Sequence, residues 1–182
     1  VLEKVKPKLD IPVVYNCGGY EKVETLKMLD GLVDIYLPDF KYASSELAEK
    51  YSSAPDYPDT AAKAIAEMYR QRGRALFDNS GMMKSGVLVR HLVLPGCRHD
   101  SMKVLDILST IVPPADIRIS LMRQYTPCGK ALEIKNLLRR LTTFEYNSVT
   151  DYAAEDILRK RRAQRLNILP SGILRVSDRI EY

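Results

Sequence analysis

The sequence predicts an α/β chain built around a parallel β-sheet, and three observations carry that expectation. Short runs rich in β-branched residues alternate with segments whose apolar residues recur at helical spacing. Four such strand–helix units follow one another within 182 residues, the pattern of repeated βα units. Each strand run stops at a turn-forming or charged cluster: Asn16-Cys17-Gly18-Gly19, Pro38-Asp39, Pro95-Gly96 and Arg123-Gln124. Four strands are too few to close an eight-stranded barrel, so the sheet is expected to be open or incomplete.

The elements follow in order. Ile11 to Tyr15 reads as the first strand. Glu21 to Asp30 places Val23, Leu26 and Leu29 on one helical face, with Gly31 where a C-cap glycine belongs. Leu32 to Leu37 is the second strand, and a Ser-rich connection then holds a short helix from Ser44 to Tyr51. Asp59-Thr60 is the predicted cap of a helix presenting Ala61, Ile65, Met68 and Tyr69. The third strand runs from Gly86 to Leu94. Asp100-Ser101 opens a helix that turns Val104, Leu105, Leu108, Ile111 and Val112 inward and ends at Pro113-Pro114. Ile117 to Met122 is the fourth strand, and two more helices are expected over Leu132–Leu141 and Glu145–Lys160.

A hydrophobic fraction of 46% with 28% charged residues supplies a sizeable core and excludes collagen-like, low-complexity and fully disordered classes. No apolar run approaches the roughly 20 residues of a membrane helix. The opening Val1-Leu2-Glu3-Lys4-Val5-Lys6 lacks a signal peptide's apolar stretch, so a cytoplasmic protein is expected. The formal charge of +5 is concentrated at one end. Residues 156–182 carry seven Lys and Arg against three Asp and Glu, which leaves the rest nearly neutral and gives no ground to expect nucleic acid as a partner. Cys17, Cys97 and Cys128 match no zinc or iron–sulfur spacing and, being odd in number, no disulfide framework.

In parallel α/β folds ligands gather at the C-terminal ends of the strands. That rule selects Asn16-Cys17-Gly18-Gly19, Asp39-Phe40-Lys41, the loop Pro95 to Asp100, and Arg123-Gln124-Tyr125. Gly18-Gly19 is either a close backbone approach to a ligand or a tight βα turn. Asp39 and Lys41 form either a surface ion pair or an acceptor beside a cation suited to a charged, nucleotide-like ligand. His91, inside a strand, reads as a satisfied core histidine; His99, beside Arg98 and Asp100 in a loop, is open to function or to helix capping.

These loops carry a family resemblance. The series Pro12 to Glu21, Asp34 to Tyr42, Val89 to Gly96 and Ser120 to Pro127 resembles the later part of radical S-adenosylmethionine proteins, and is most similar to the pyruvate formate-lyase activating enzyme family. The resemblance covers about residues 11–152. It implies a partial (β/α)6 barrel of which this chain holds strands three to six, and a four-iron four-sulfur cluster that cleaves S-adenosylmethionine reductively to make a radical on a protein or small molecule. By the same resemblance Asn16, Gly18 and Gly19 match the turn after the third strand. Asp39, Phe40 and Lys41 fall on the cofactor-contacting segment after the fourth, and Gln124 or Tyr125 stands where activating enzymes set a histidine against the adenine.

The family's Cys-x3-Cys-x2-Cys triplet and its Gly-Gly-Glu-Pro-like loop are missing from this sequence. The expectation is therefore an N-terminally truncated member holding cofactor-binding residues but no catalytic residue and no cluster ligand, not competent by itself. The competing reading is a non-catalytic α/β module that binds or associates through an open strand edge at residues 11–15, by dimerisation or aggregation. The domain is placed at 1–152 and an atypical basic tail at 153–182. Codons allowed for Arg159 to Pro170, read in the neighbouring frame, can spell the family-like Glu-Lys-Ser-Ser-Ala-Lys-Ala-Glu-Tyr-Thr-Pro. A frame shift is thus expected there.

Overall fold

The computed structural model describes residues 2–165, with side chains to residue 155. A helical turn α1 (Leu2–Val5) and a 3-10 turn (Lys6–Lys8) lead to β1 (Val14–Cys17) and α2 (Val23–Lys27). Then come β2 (Ile35–Pro38), α3 (Ser45–Ser52), α4 (Tyr57–Arg72), the short β3 (Leu76–Phe77) and the long β4 (Met83–Leu92). α5 (Arg98–Ile111), β5 (Arg118–Met122), two 3-10 turns (Gly129–Glu133 and Lys135–Leu137) and α6 (Thr143–Arg165) complete it. The α/β class and the parallel sheet expected from sequence are present. Of the tail assigned to 153–182, the backbone to residue 165 continues α6; the remainder, and the side chains of the Arg159–Pro170 segment, lie outside the described residues.

The sheet has five strands. β1 pairs with β2, β2 with β4 and β4 with β5, all parallel, while β3 is antiparallel to the start of β4. Arg90 pairs with Asp39 on one side and Ser120 on the other, so the parallel strands stand in chain order β1-β2-β4-β5. An order without reversal, joined by right-handed crossovers, puts the connecting helices on one face. The core agrees: Leu26 of α2, Ala61, Ala64, Ile65 and Met68 of α4, and Val104 and Leu108 of α5 all pack with Tyr36, Val87 and Val89 of the strands. Tyr36, Ile65 and Met68 are fully buried, each such side chain contributing about 1.5–3 kcal/mol by leaving water. A second cluster joins Tyr146 and Val149 of α6 to Leu105 and Val93, with Ile119 and Leu121 against it.

Strand alternation then sends Asn16, Leu37, Leu88, Arg90 and Ser120 to the opposite face. That face is where charged side chains cluster.

Several boundaries differ from expectation for identifiable reasons. β1 starts three residues later than Ile11, whose side chain is exposed, because ladder pairing with β2 begins at Val14. The helix expected over Glu21–Asp30 is only Val23–Lys27, closed by turns before Gly31 at φ 81°. α4 begins at Tyr57 rather than at Asp59-Thr60, with Pro58 in its first turn, where a missing N–H is harmless. β4 reaches back to Met83 through a hairpin that has no counterpart among the expected elements. There Asp78 Oδ1 accepts from the Ser80 and Met82 amides (2.9 and 3.0 Å) and Gly81 takes φ 83°. α5 starts at Arg98, two residues before the expected Asp100. The helix expected over Leu132–Leu141 does not form. Leu132 and Leu138 are exposed, only Leu137 is buried, and Ile134 is extended, so no apolar stripe is available to bury.

α6 is capped reciprocally. Thr142 Oγ1 accepts from the Glu145 amide (3.2 Å) and Glu145 Oε2 accepts from the Thr142 amide (3.1 Å), a capping box. The same carboxylate receives Arg139 through two 2.7 Å bonds and the Gly96 amide at 2.7 Å, tying α6 to the loop after β4. Arg139 holds the Glu145 carboxyl well below the ordinary carboxylate range. Glu145→Ala is expected to lower stability by about 2 kcal/mol, the sum of a lost cap and of one charge-assisted bond. Thermal unfolding reads it; a midpoint unchanged within error would mean that this carboxylate is solvated.

Candidate functional site

Three backbone segments converge at the C-terminal edge of the sheet. The Asp39 amide donates to the Cys17 carbonyl of β1 (2.9 Å) and the Phe40 amide to the Arg90 carbonyl of β4 (2.9 Å). The Phe40 carbonyl accepts from His91 Nδ1 (2.6 Å), and the Lys41 amide donates to the Tyr57 hydroxyl (3.0 Å). With this backbone satisfied on every side, the segment is fixed, and the Asp39 side chain is delivered to the face opposite the connecting helices.

There it meets Arg90. Arg90 Nε donates to Asp39 Oδ1 (2.9 Å), with Nη2 in ion-pair contact with the same oxygen at 2.7 Å, and Nη2 donates to Asn16 Oδ1 (2.9 Å). Three adjacent strands thus contribute one polar cluster. The Arg90 and Asp39 side chains remain 29% and 23% exposed, open enough to meet a ligand. Among the described residues, Asp39 Oδ2, Asn16 Nδ2 and Arg90 Nη1 have no protein partner. The cluster therefore presents an acceptor, an amide donor and a guanidinium edge on one surface, a set suited to a small ligand carrying hydroxyl, ammonium and carboxylate groups.

Gly19 stands behind it, buried, at φ 79°. A Cβ there would enter the van der Waals envelope of the Asp39 carbonyl oxygen, so only glycine lets the turn after β1 close over β2. Gly18 is coupled to the same place through its carbonyl, which lies 2.8 Å from the Tyr57 hydroxyl.

The remaining expected site residues are placed differently. The Phe40 side chain is fully buried in the core, so its contribution at the edge is made by its backbone. The Lys41 side chain is exposed and forms no ion pair among the described residues, least of all with Asp39, which pairs with Arg90 instead. Gln124 is exposed, its amide 3.7 Å from the Met122 sulfur, and the Tyr125 hydroxyl donates to the Leu137 carbonyl (2.9 Å). Neither belongs to the Asn16–Asp39–Arg90 cluster. Arg90 and Tyr57 are the residues that sequence reasoning missed. Arg90 had a readable signal, an arginine alternating with Val89 and His91 in an otherwise apolar strand; Tyr57 had none.

His91 is the satisfied core histidine expected. Its Nδ1–H donates to Phe40 O, leaving Nε2 to accept from Ser101 Oγ at 2.8 Å. His99 is exposed beside Arg98 Nε at 3.3 Å. Asp100 Oδ2 accepts from the Ala43 amide (3.0 Å), while its buried Oδ1 lacks a hydrogen-bond partner among the described residues. Burial pushes the Cys17 thiol up to about 11 and also raises that of Cys97, so neither is a ready thiolate. Among the described residues no three His, Cys, Asp or Glu side chains are grouped to hold a metal ion. The iron–sulfur cluster that the resemblance implies therefore does not fit the residues described. Among them, no helix is long and apolar enough to cross a membrane.

Fold and site together define an α/β protein with a polar side-chain cluster at the C-terminal ends of its parallel strands. The chain is 33% identical over 147 residues, 79% of its length, to the uncharacterized protein MJ0674 of Methanocaldococcus jannaschii. It spans 38% of that protein's length. No family model and no solved structure matches the chain.

Proposed function

We propose that this chain binds S-adenosylmethionine at the Asn16–Asp39–Arg90 edge, as part of a radical S-adenosylmethionine enzyme similar to the pyruvate formate-lyase activating enzymes. The observation that carries the reading is the cluster itself: one carboxylate, one carboxamide and one guanidinium from three neighbouring strands, at the edge where parallel sheets bind ligands. The four motif segments of the resemblance include all three residues. The chemistry is complementary, since the ligand offers ribose hydroxyls and an ammonium to Asp39 and a carboxylate to Arg90.

Calorimetric titration of the chain with S-adenosylmethionine tests it. Saturable binding is expected, and Asp39→Asn, which keeps the shape but removes the charge that holds Arg90, is expected to weaken it by about tenfold or more. Absence of saturable binding at millimolar ligand, or an unchanged affinity in the variant, would overturn the reading. A second reading, an association module, rests on β1, which pairs only with β2 among the described residues and leaves Val14 half exposed. Concentration-dependent dimerisation without ligand binding would favour it.

A further inference from the structure

We propose that Tyr57 is a positioning residue that sets the spacing of Asn16 and Asp39 around Arg90. The inference rests on the reading of that cluster as a ligand site, and it deepens it. Tyr57 opens α4, remote in sequence from both strands, yet its hydroxyl sits between their C-terminal loops. It lies 2.8 Å from the Gly18 carbonyl, 3.0 Å from the Asp39 carbonyl and 3.0 Å from the Lys41 amide. A phenol has one proton, so it donates to one carbonyl at a time while accepting from Lys41 N–H. The three backbone groups it joins lie two residues beyond Asn16, on Asp39 itself, and two residues beyond Asp39.

The ring holds the hydroxyl in place. Tyr57 is 3% exposed. Tyr20 stacks on it at 5.8 Å, Tyr42 meets it edge-on at 5.7 Å, and Phe40 tilts against it at 6.4 Å. Tyr20 adds a second tie, its hydroxyl donating to Asp56 Oδ1 at the start of α4. With rotation blocked by these rings, the hydroxyl acts as a fixed spacer between two loops that the Asp39–Cys17 backbone bond and the Arg90 bridge also join. Gly19 completes the device, since its missing Cβ leaves room for the Asp39 carbonyl and the Tyr57 oxygen.

The test pairs Tyr57→Phe with Tyr36→Phe. Tyr36 is an equally buried tyrosine whose hydroxyl bonds to Gln71 in the same core, away from the edge. Both variants lose a buried hydroxyl, so both lose stability. Only Tyr57→Phe is expected to weaken S-adenosylmethionine binding, by about tenfold, as for one lost positioning bond. Equal affinities in the two variants would overturn the proposal while leaving the binding site standing. Should the unmodified chain bind no S-adenosylmethionine, the site reading fails, and Tyr57 is judged by amide hydrogen exchange. Fast Lys41 exchange in the unmodified chain overturns the spacer, and so does protection unaltered by Tyr57→Phe. Protection lost in Tyr57→Phe but kept in Tyr36→Phe supports it, and slow exchange in the unmodified chain supports it even where Tyr57→Phe does not fold.

Discussion

Gly19→Ala lowers the stability of the chain by about 3 kcal/mol, whereas Gly18→Ala changes it by no more than about 0.5 kcal/mol. The two glycines are adjacent and look alike in the sequence. Gly19 has φ 79°, where an alanine costs about 1 kcal/mol or more, and its new Cβ would drive into the Asp39 carbonyl. That obstacle is backbone, pinned by the Asp39–Cys17 bond and facing the Tyr57 hydroxyl, so it cannot rotate aside. Relief requires the β1 and β2 loops to part, a displacement in the range of about 1–3 kcal/mol. Gly18 has an ordinary backbone, and the methyl of an alanine there would find no neighbouring atom within 4 Å, so its substitution meets open space. Urea denaturation midpoints at equal slope measure both. Equal losses at the two positions would refute this turn geometry.

The contrast marks what the sequence could and could not convey. Local chemistry was legible. The short helix expected from Ser44 forms as α3 with Ser44 as its cap, accepting from the Leu47 amide at 3.2 Å, and α5 stops before Pro113 as expected, because these effects depend on a few neighbouring residues. The alternation of four strand runs with helices conveyed the parallel sheet. Asp39 and Asn16 were legible as loop residues beyond strands, but their meeting was not, since the residue that joins them, Arg90, lies 51 positions from one and 74 from the other. Asp39 and Lys41, two apart, read as partners until Arg90 took the carboxylate. The role of Tyr57 depends on where α4 crosses the sheet, a property of tertiary packing that no local pattern encodes. The Leu132–Leu141 segment erred the other way: its spacing was helical, but the core offered nothing for Leu132 or Leu138 to cover.

Replacing His91 with phenylalanine is expected to cost about 3 kcal/mol near neutral pH and to remove an acid-dependent part of the chain's stability. The imidazole is 2% exposed, and the larger phenyl ring overpacks its place, leaves the Phe40 carbonyl without its partner and leaves the Ser101 hydroxyl only the Cys97 carbonyl at 3.4 Å, losses of about 1–3 kcal/mol each. Burial is the largest influence on the ring and pushes its pKa below the ordinary 6.5, against the smaller upward pull of the Phe40 carbonyl and the Asp100 and Asp39 carboxylates. The unfolded chain therefore takes up a proton near pH 6.5 that the folded chain refuses. Stability from His91 is full above that pH and is lost as pH falls below it, by up to about 1.4 kcal/mol per pH unit. Asp100 works in the opposite sense. Burial pushes its carboxyl up, so its contribution is fullest under acid conditions and is lost as pH rises through its folded value. The difference between the parent chain and His91→Phe, followed from pH 7 to pH 5 by urea denaturation, reads the histidine together with its coupling to Asp100. A constant difference across that range would show that the ring takes up its proton at the same pH in the fold as in the unfolded chain. Protonation would keep the Nδ1–H bond to the Phe40 carbonyl and remove only the Nε2 acceptor that receives the Ser101 hydroxyl, so its cost falls on the contact between β4 and α5.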